Sequence, residues 1–123
     1  VEFVWFCFGE MKGGEIFVKK LPSFRTLDLA KAISTNKKFK YIGIRPGEKM
    51  HEQMISKDDA MYTYNFNSYY KILPTINNNK KFYNINKKQK LVDENFSYVS
   101  NINKTWLKVP DLRKWIRENP NYF

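Results

Sequence analysis

A single cysteine, Cys7, and a single histidine, His51, set the first limits on this chain. One cysteine cannot close an internal disulfide, so an oxidising compartment gains no support. One cysteine and one histidine also fall short of the ligands that a structural zinc site takes. Glycine is scarce, with five among 123 residues. No G-x-G-x-x-G or P-loop pattern occurs, so the fingerprints that cradle dinucleotides and triphosphates are missing from this stretch. No nucleophile elbow occurs either. The longest apolar run near the start, residues 3–8, is far below the ~20 residues a membrane span needs. No basic leader precedes an apolar core and a small-residue cleavage site, so a cytoplasmic setting is the default and no membrane partner is expected.

Arginine is the other shortage. The chain carries 22 basic and 12 acidic side chains for a net charge of +10, but only four of the 22 are arginines. A dedicated reader of phosphates or bases leans on arginine forks. Here the lysines sit in tracts mixed with asparagine, such as "NNNKKFYNINKKQK" (77–90). Drift in base composition explains that pattern better than nucleic-acid binding does, and no nucleic-acid partner is expected. A small basic nucleic-acid-binding module is the competing reading from a different class.

Residues 2–11 are nearly all apolar, so periodicity cannot separate a buried helix from a strand. The chain starts inside this pattern, with no capping residue before it, and is expected to continue a fold that begins upstream of Val1. "EIFVKKL" (15–21) alternates as a strand does, after a Gly13-Gly14 break. "TLDLAKAI" (26–33) reads as a helix. Thr26 is its expected N-cap, Asp28 lies in its first turn, and Leu29, Ala32 and Ile33 form its apolar face. "KFKYIGI" (38–44) reads as a second strand, Glu48–Ile55 as a short helix, and "SKDDA" (56–60) as a cap and turn. "YTYNFNSYYKILP" (62–74) is strand-like and aromatic. Residues 75–90 read as a polar loop with few buried candidates. "VPDLRKWIRE" (109–118) is a helix with Pro110 in its first turn and Leu112, Trp115 and Ile116 on one face. The order points to an α/β piece. The expected organisation is a core over 1–74, a polar Asn/Lys-rich loop or insertion over 75–95, and a closing segment over 96–123.

Two constellations suggest chemistry. Tyr83 and Lys87 have the Tyr-x-x-x-Lys spacing of dehydrogenase acid/base pairs. With eight tyrosines and 18 lysines, chance supplies roughly one such pair. Nothing in an Asn/Lys tract is expected to bury or orient the tyrosine. The second is "GIRPGEKMHEQM" (43–54). Proline biases Arg45 towards an extended backbone, and Gly47 permits a sharp turn. An arginine at a strand end beside a helix N-terminus suits an anion. A glutamate three residues on can accept the two hydroxyls of a ribose. Arg45 and Glu48 then make a nucleotide-diphosphate clamp. Alternatively they pair across a turn as a solvated bridge worth ~0–1 kcal/mol. The residues alone leave these two readings even. His51, flanked by Met50 and Met54, is expected to be packed or hydrogen-bonded rather than catalytic.

"GGEIFVKKLPSF" (13–24), "LAKAI" (29–33), "GIRPGEKMHEQMIS" (43–56), "DDA" (58–60), "YYKILP" (69–74) and "FSYVSNINKTWLKVPDLRKWI" (96–116) carry a family resemblance. In order and spacing they resemble the C-terminal part of the inverting UDP-N-acetylglucosamine 4,6-dehydratases. These belong to the polysaccharide-biosynthesis branch of the extended short-chain dehydrogenase/reductase superfamily. The resemblance covers most of the chain outside the Asn/Lys tract, and R-P-G-E-K-x-H-E is its most specific run. It implies an upstream Rossmann domain that binds NADP and a smaller C-terminal substrate domain, of which this chain is a fragment with the Rossmann core largely missing. It implies oxidation at C4 of the sugar, loss of water across C5 and C6, return of hydride to C6, and inversion at C5. The product is a 4-keto-6-deoxy sugar nucleotide for surface glycans. Arg45 would hold phosphate and Glu48 the ribose of a UDP-sugar. Lys49, His51 and Glu52 match the run without an assigned role. No catalytic, cofactor-binding or metal residue is expected in this chain. The family's glycine-rich loop and Tyr-x-x-x-Lys pair are expected upstream. The parent is expected to form a homo-oligomer, and the isolated chain to be inactive, with Phe3, Trp5 and Phe6 exposed. Lys19 stands where the family has proline, and Lys108 where it has a capping hydroxyl. C4 or C5 epimerisation of a sugar nucleotide is the alternative activity within the superfamily.

Overall fold

The computed structural model describes residues 1–34, 38–76 and 79–120. The chain forms two compact units: Val1–Lys20 with Gln53–Val99, and Leu21–Glu52 with Ser100–Phe123.

The first unit opens with helix α1 (Glu2–Glu10), which decides between the two readings of that apolar stretch. Strand β1 (Ile16–Lys19) follows. The aromatic run 62–74 is not one strand. It folds into a hairpin of β3 (Thr63–Asn65) and β4 (Tyr69–Ile72) around the polar turn Phe66-Asn67-Ser68. With β5 (Lys90–Leu91) the antiparallel sheet runs in the order β1-β4-β3-β5. A second antiparallel pair joins β2 (Gln53–Ile55) to β6 (Tyr98–Val99). The Lys20 ammonium ties the hairpin turn shut, donating to Asn65 Oδ1 at 2.6 Å, to Phe66 O and to Asn67 O. It also stands 4.7 Å from the Tyr70 ring centre. "SKDDA" forms the turn it reads as, but no side chain caps the 3₁₀ turn that follows. Ser56 N–H donates to Asp59 Oδ2 (3.2 Å) and Asp59 N–H to Ser56 Oγ (3.3 Å), ahead of a 3₁₀ turn at Ala60–Tyr62.

Val18, Ile55 and Ile72 form one apolar cluster, with Tyr62, Tyr70, Phe96 and Tyr98 against it. Tyr64, Leu73 and Tyr83 form another. Tyr83 corrects the reading of the Asn/Lys tract, of which residues 77–78 lie outside the described ones. The tyrosine is buried, and its hydroxyl donates to Gly13 O at 3.1 Å. Its own carbonyl accepts from the ammonium of Lys71 at 3.3 Å. Lys71 is only 1% exposed, on central strand β4. The rings of Phe17 and Phe66 lie 4.7 and 5.4 Å from its nitrogen. An aromatic face offers a buried cation part of what water would. Burial still pushes the Lys71 pKa down, against the opposing pull of Glu15 and Glu10. The apolar side chains of α1 divide. Phe3 and Phe6 meet Tyr69, with ring centres 5.9 and 5.4 Å away, whereas Trp5 is 70% exposed. Lys19 places its ammonium 5.6 Å from the Phe3 ring, a contact that proline could not make.

The second unit packs α2 (Thr26–Ile33) on α3 (Val109–Glu118). Arg25, not Thr26, is the N-cap of α2, and no side chain caps it. Leu29 and Ala32 are half-buried, but Ile33 is exposed. Leu112 of α3 is buried. Lys108 occupies the N-cap of α3 and has no acceptor to offer. The Asp111 carboxylate supplies the other half of a capping box by accepting Lys108 N–H at 2.9 Å. Ser23 is bracketed by main-chain bonds to Thr105 and Leu107, and Asn103 donates to Leu21 O and Ser23 Oγ. "KFKYIGI" forms no strand: residues 38–45 are irregular and exposed. An alternating pattern needs a partner ladder, and among the described residues no strand pairs with this segment.

Two outcomes test this packing. Tyr83→Phe should lower unfolding free energy by about 0.5–1.5 kcal/mol, one net hydrogen bond. Tyr83→Ala should cost about 3–5 kcal/mol. Urea denaturation reads both. Glu15 supplies a pH test. Burial pushes its carboxyl up, but N–H donors from Lys12, Glu15 and Gly13 together with the Lys71 charge outweigh it, so its pKa lies below the ordinary 4.5. Folding therefore favours the carboxylate. The stabilisation is complete above pH 4.5 and is lost as pH falls further. Glu15→Gln should flatten the loss of stability seen between about pH 5 and pH 3.

Candidate functional site

Residues 45–48 fold into a turn, with Gly47 at φ +85°, a conformation that side chains with a Cβ disfavour. Glu48 N–H donates to Arg45 O at 3.0 Å, and Arg45 N–H donates to Glu48 Oε2 at 2.9 Å. Arg45 Nε stands 3.9 Å from Glu48 Oε1, with the two side chains 70% and 52% exposed. The motif thus brings Arg45 and Glu48 together, as a solvated pair. The guanidinium keeps most of its donors towards solvent.

No helix starts at Glu48. Residues 48–52 are irregular, with a bend at 50–51, and 53–55 are strand β2. The i, i+4 pattern of Met50/Met54 and His51/Ile55 is overridden by tertiary bonds. Glu52 N–H donates to Ser100 Oγ at 3.0 Å, and Ser100 N–H donates to Glu52 O at 2.8 Å. Gln53 and Ile55 pair with Val99 and Tyr98. An eight-residue helix is marginal against such a ladder. The expected free N–H groups of a helix N-terminus are therefore absent beside Arg45. His51 is exposed rather than packed.

A polar cleft of about 510 Å³ is lined by Thr26, Gly47, Glu48, Lys49 and Glu52. Its volume is within the range of small-ligand sites, ~300–1,000 Å³. Its lining offers two carboxylate acceptors, one ammonium and one hydroxyl, and Arg45 adjoins it through the turn. That set can hold hydroxyls and an anion. Thr26 reaches this cleft from α2, a placement that no local pattern reveals. Glu52 sits within the motif, and its anchor Ser100 lies 48 residues away. A second, more apolar cleft of about 570 Å³ lies between Arg25, Asp28 and Trp106–Pro110.

Among the described residues, no group of His, Cys, Asp and Glu could hold a metal ion, and no helix is long and apolar enough to cross a membrane. NADP, which the family resemblance implies, does not fit this stretch of chain. Its adjacent glycines, Gly13 and Gly14, lead into strand β1 instead of opening a helix for a pyrophosphate.

Residues 1–74 match the family model described as polysaccharide biosynthesis protein. Over 127 aligned residues the chain is 41% identical to the UDP-N-acetylglucosamine 4,6-dehydratase (inverting) of Campylobacter jejuni subsp. jejuni serotype O:2, covering 99% of this chain and 38% of that protein. A UDP-glucose 4-epimerase of Rickettsia canadensis is 34% identical over 76 residues, 58% of this chain and 22% of that protein. The chain thus spans well under half the length of these curated relatives. The X-ray structure of Pen from Bacillus thuringiensis superposes with a TM-score of 0.80 at 22% identity, over 97% of this chain and 36% of that one. The fold is therefore that of one part of a larger chain.

The turn itself can be tested. Gly47→Ala meets no neighbouring atom within 4 Å, so its cost is backbone strain alone, about 1–2 kcal/mol. Gly47→Asn should cost less, because asparagine tolerates this conformation better. Denaturant midpoints of the two variants give the comparison.

Proposed function

The chain belongs to the polysaccharide biosynthesis protein family, and on that premise we propose that it is the UDP-binding part of a sugar-nucleotide 4,6-dehydratase. The observation that carries this reading is the Arg45–Glu48 turn at the rim of the polar cleft. The guanidinium, with donors free towards solvent, takes the diphosphate in a charge-assisted fork. Glu48 accepts from the ribose. The parent enzyme acts on UDP-N-acetylglucosamine in the cytoplasm, as a lyase that supplies a 4-keto-6-deoxy sugar nucleotide for surface polysaccharide. NADP and the acid/base groups belong to the rest of that enzyme, which works as a homo-oligomer. This chain alone holds nucleotide without turning it over.

Similarity to the inverting dehydratase over 99% of the chain supports dehydration. The shorter similarity to a UDP-glucose 4-epimerase supports epimerisation as the second reading. Product mass separates them: dehydration removes one water from the sugar nucleotide, whereas epimerisation leaves the mass unchanged.

Binding tests the clamp directly. UDP titrated against the intact protein should bind more weakly to Arg45→Ala by ~1.5–3 kcal/mol, the worth of a hydrogen bond to a charged group. An unchanged affinity removes Arg45 from the site.

A further inference from the structure

We infer that Glu52 is a second hydroxyl acceptor in the cleft and shares the ribose diol with Glu48; this rests on the nucleotide-clamp reading above. Three observations lead to it. First, Glu48 is not a free carboxylate. Its Oε2 already accepts Arg45 N–H at 2.9 Å, and its Oε1 faces Arg45 Nε at 3.9 Å. A carboxylate oxygen can accept a further bond, but a bidentate grip on two hydroxyls would compete with both contacts. Second, Glu52 lines the same cleft as Glu48. Its carboxylate makes no hydrogen bond or ion pair among the described residues, and its N–H and C=O are both bonded to Ser100. Third, those two bonds hold the Glu52 backbone from both sides, whereas Glu48 sits on a solvent-exposed turn. A recognition group works best on an anchored backbone with its side chain uncommitted.

The chemistry fits a vicinal diol. Two hydroxyls donate, and two carboxylates from positions 48 and 52 accept one each. Lys49, which also lines the cleft, offsets the carboxylates' repulsion of the neighbouring diphosphate. Ser100 is then a positioning residue, acting through the main chain of Glu52.

Deoxynucleotides read this out. UDP, 2′-deoxy-UDP and 3′-deoxy-UDP are titrated against the intact protein, wild type and Glu52→Ala. A site built to bind a hydroxyl rejects the analogue that lacks it. Wild type should bind both deoxy analogues at least about tenfold more weakly than UDP. In Glu52→Ala, one analogue should come within about twofold of UDP while the other stays discriminated. Glu52→Gln, which keeps a neutral acceptor, should restore part of the lost preference, and Ser100→Ala should give an intermediate ratio. A purely structural role for Glu52 would weaken all three ligands alike and leave the ratios as in wild type, which overturns the inference. If both ratios persist in Glu52→Ala while Arg45→Ala weakens UDP, only the sharing fails. If wild type binds no UDP, the clamp reading fails and this inference with it.

Discussion

A lysine ammonium buried on the central strand is the constraint around which the first unit is built. Moving an ion of that size out of water costs several kcal/mol even after relaxation. Lys71 meets the cost with the Tyr83 carbonyl, the faces of Phe17 and Phe66, and the field of Glu15. Each of these comes from a different segment. Phe17 is on β1, Phe66 in the β3–β4 turn, Glu15 at the entry to β1, and Tyr83 in the Asn/Lys tract. Glu15 in turn ties down the N–H groups of Lys12 and Gly13, and the Tyr83 hydroxyl holds the Gly13 carbonyl. The glycine break, the hairpin turn and the polar tract are thereby fastened to one charge. Composition alone makes the tract look dispensable, but Tyr83 makes it part of the core.

The second unit uses smaller devices, each serving position. Ser23 and Asn103 join the two segments that precede helices α2 and α3. Ser100 fastens Glu52. Arg45 and Glu48 close their turn on each other by main-chain bonds, with Gly47 supplying the left-handed residue. The result is a polar cleft whose walls come from α2 and from residues 47–52. Its lining offers two carboxylates, one ammonium and one hydroxyl.

Elements whose signals are local are legible from the chain. Pro110 and the apolar triad of Leu112, Trp115 and Ile116 locate α3, and Ser56 with Asp59 locates its turn. The likeness of the R-P-G-E run to a nucleotide clamp is equally local, because four residues carry it. What escaped local reading depends on partners far along the sequence. Glu48–Ile55 has helical spacing, but Ser100, Tyr98 and Val99 draw its end into a ladder. Residues 38–44 alternate like a strand, yet among the described residues no strand pairs with them. Thr26 looks like a cap by residue type, yet it is already the first helical residue, and the cap position falls to Arg25. Tyr83 resembled noise because burial is set by Gly13 and Lys71, neither of which is near it in sequence. The turn is half legible: the closeness of Arg45 and Glu48 is visible in the sequence, but the helix expected beside it is not there.

The loss of that helix sharpens the functional claim. Without a helix N-terminus beside Arg45, the proposed phosphate recognition by this segment rests on the guanidinium, and the proposed ribose contacts rest on the cleft. A crystal structure of the intact protein with UDP tests this most directly. The account predicts a diphosphate oxygen within about 3 Å of the Arg45 guanidinium and a ribose hydroxyl on the Glu48 carboxylate. A diphosphate bound away from Arg45, with the cleft of Thr26, Glu48 and Glu52 empty, would contradict it.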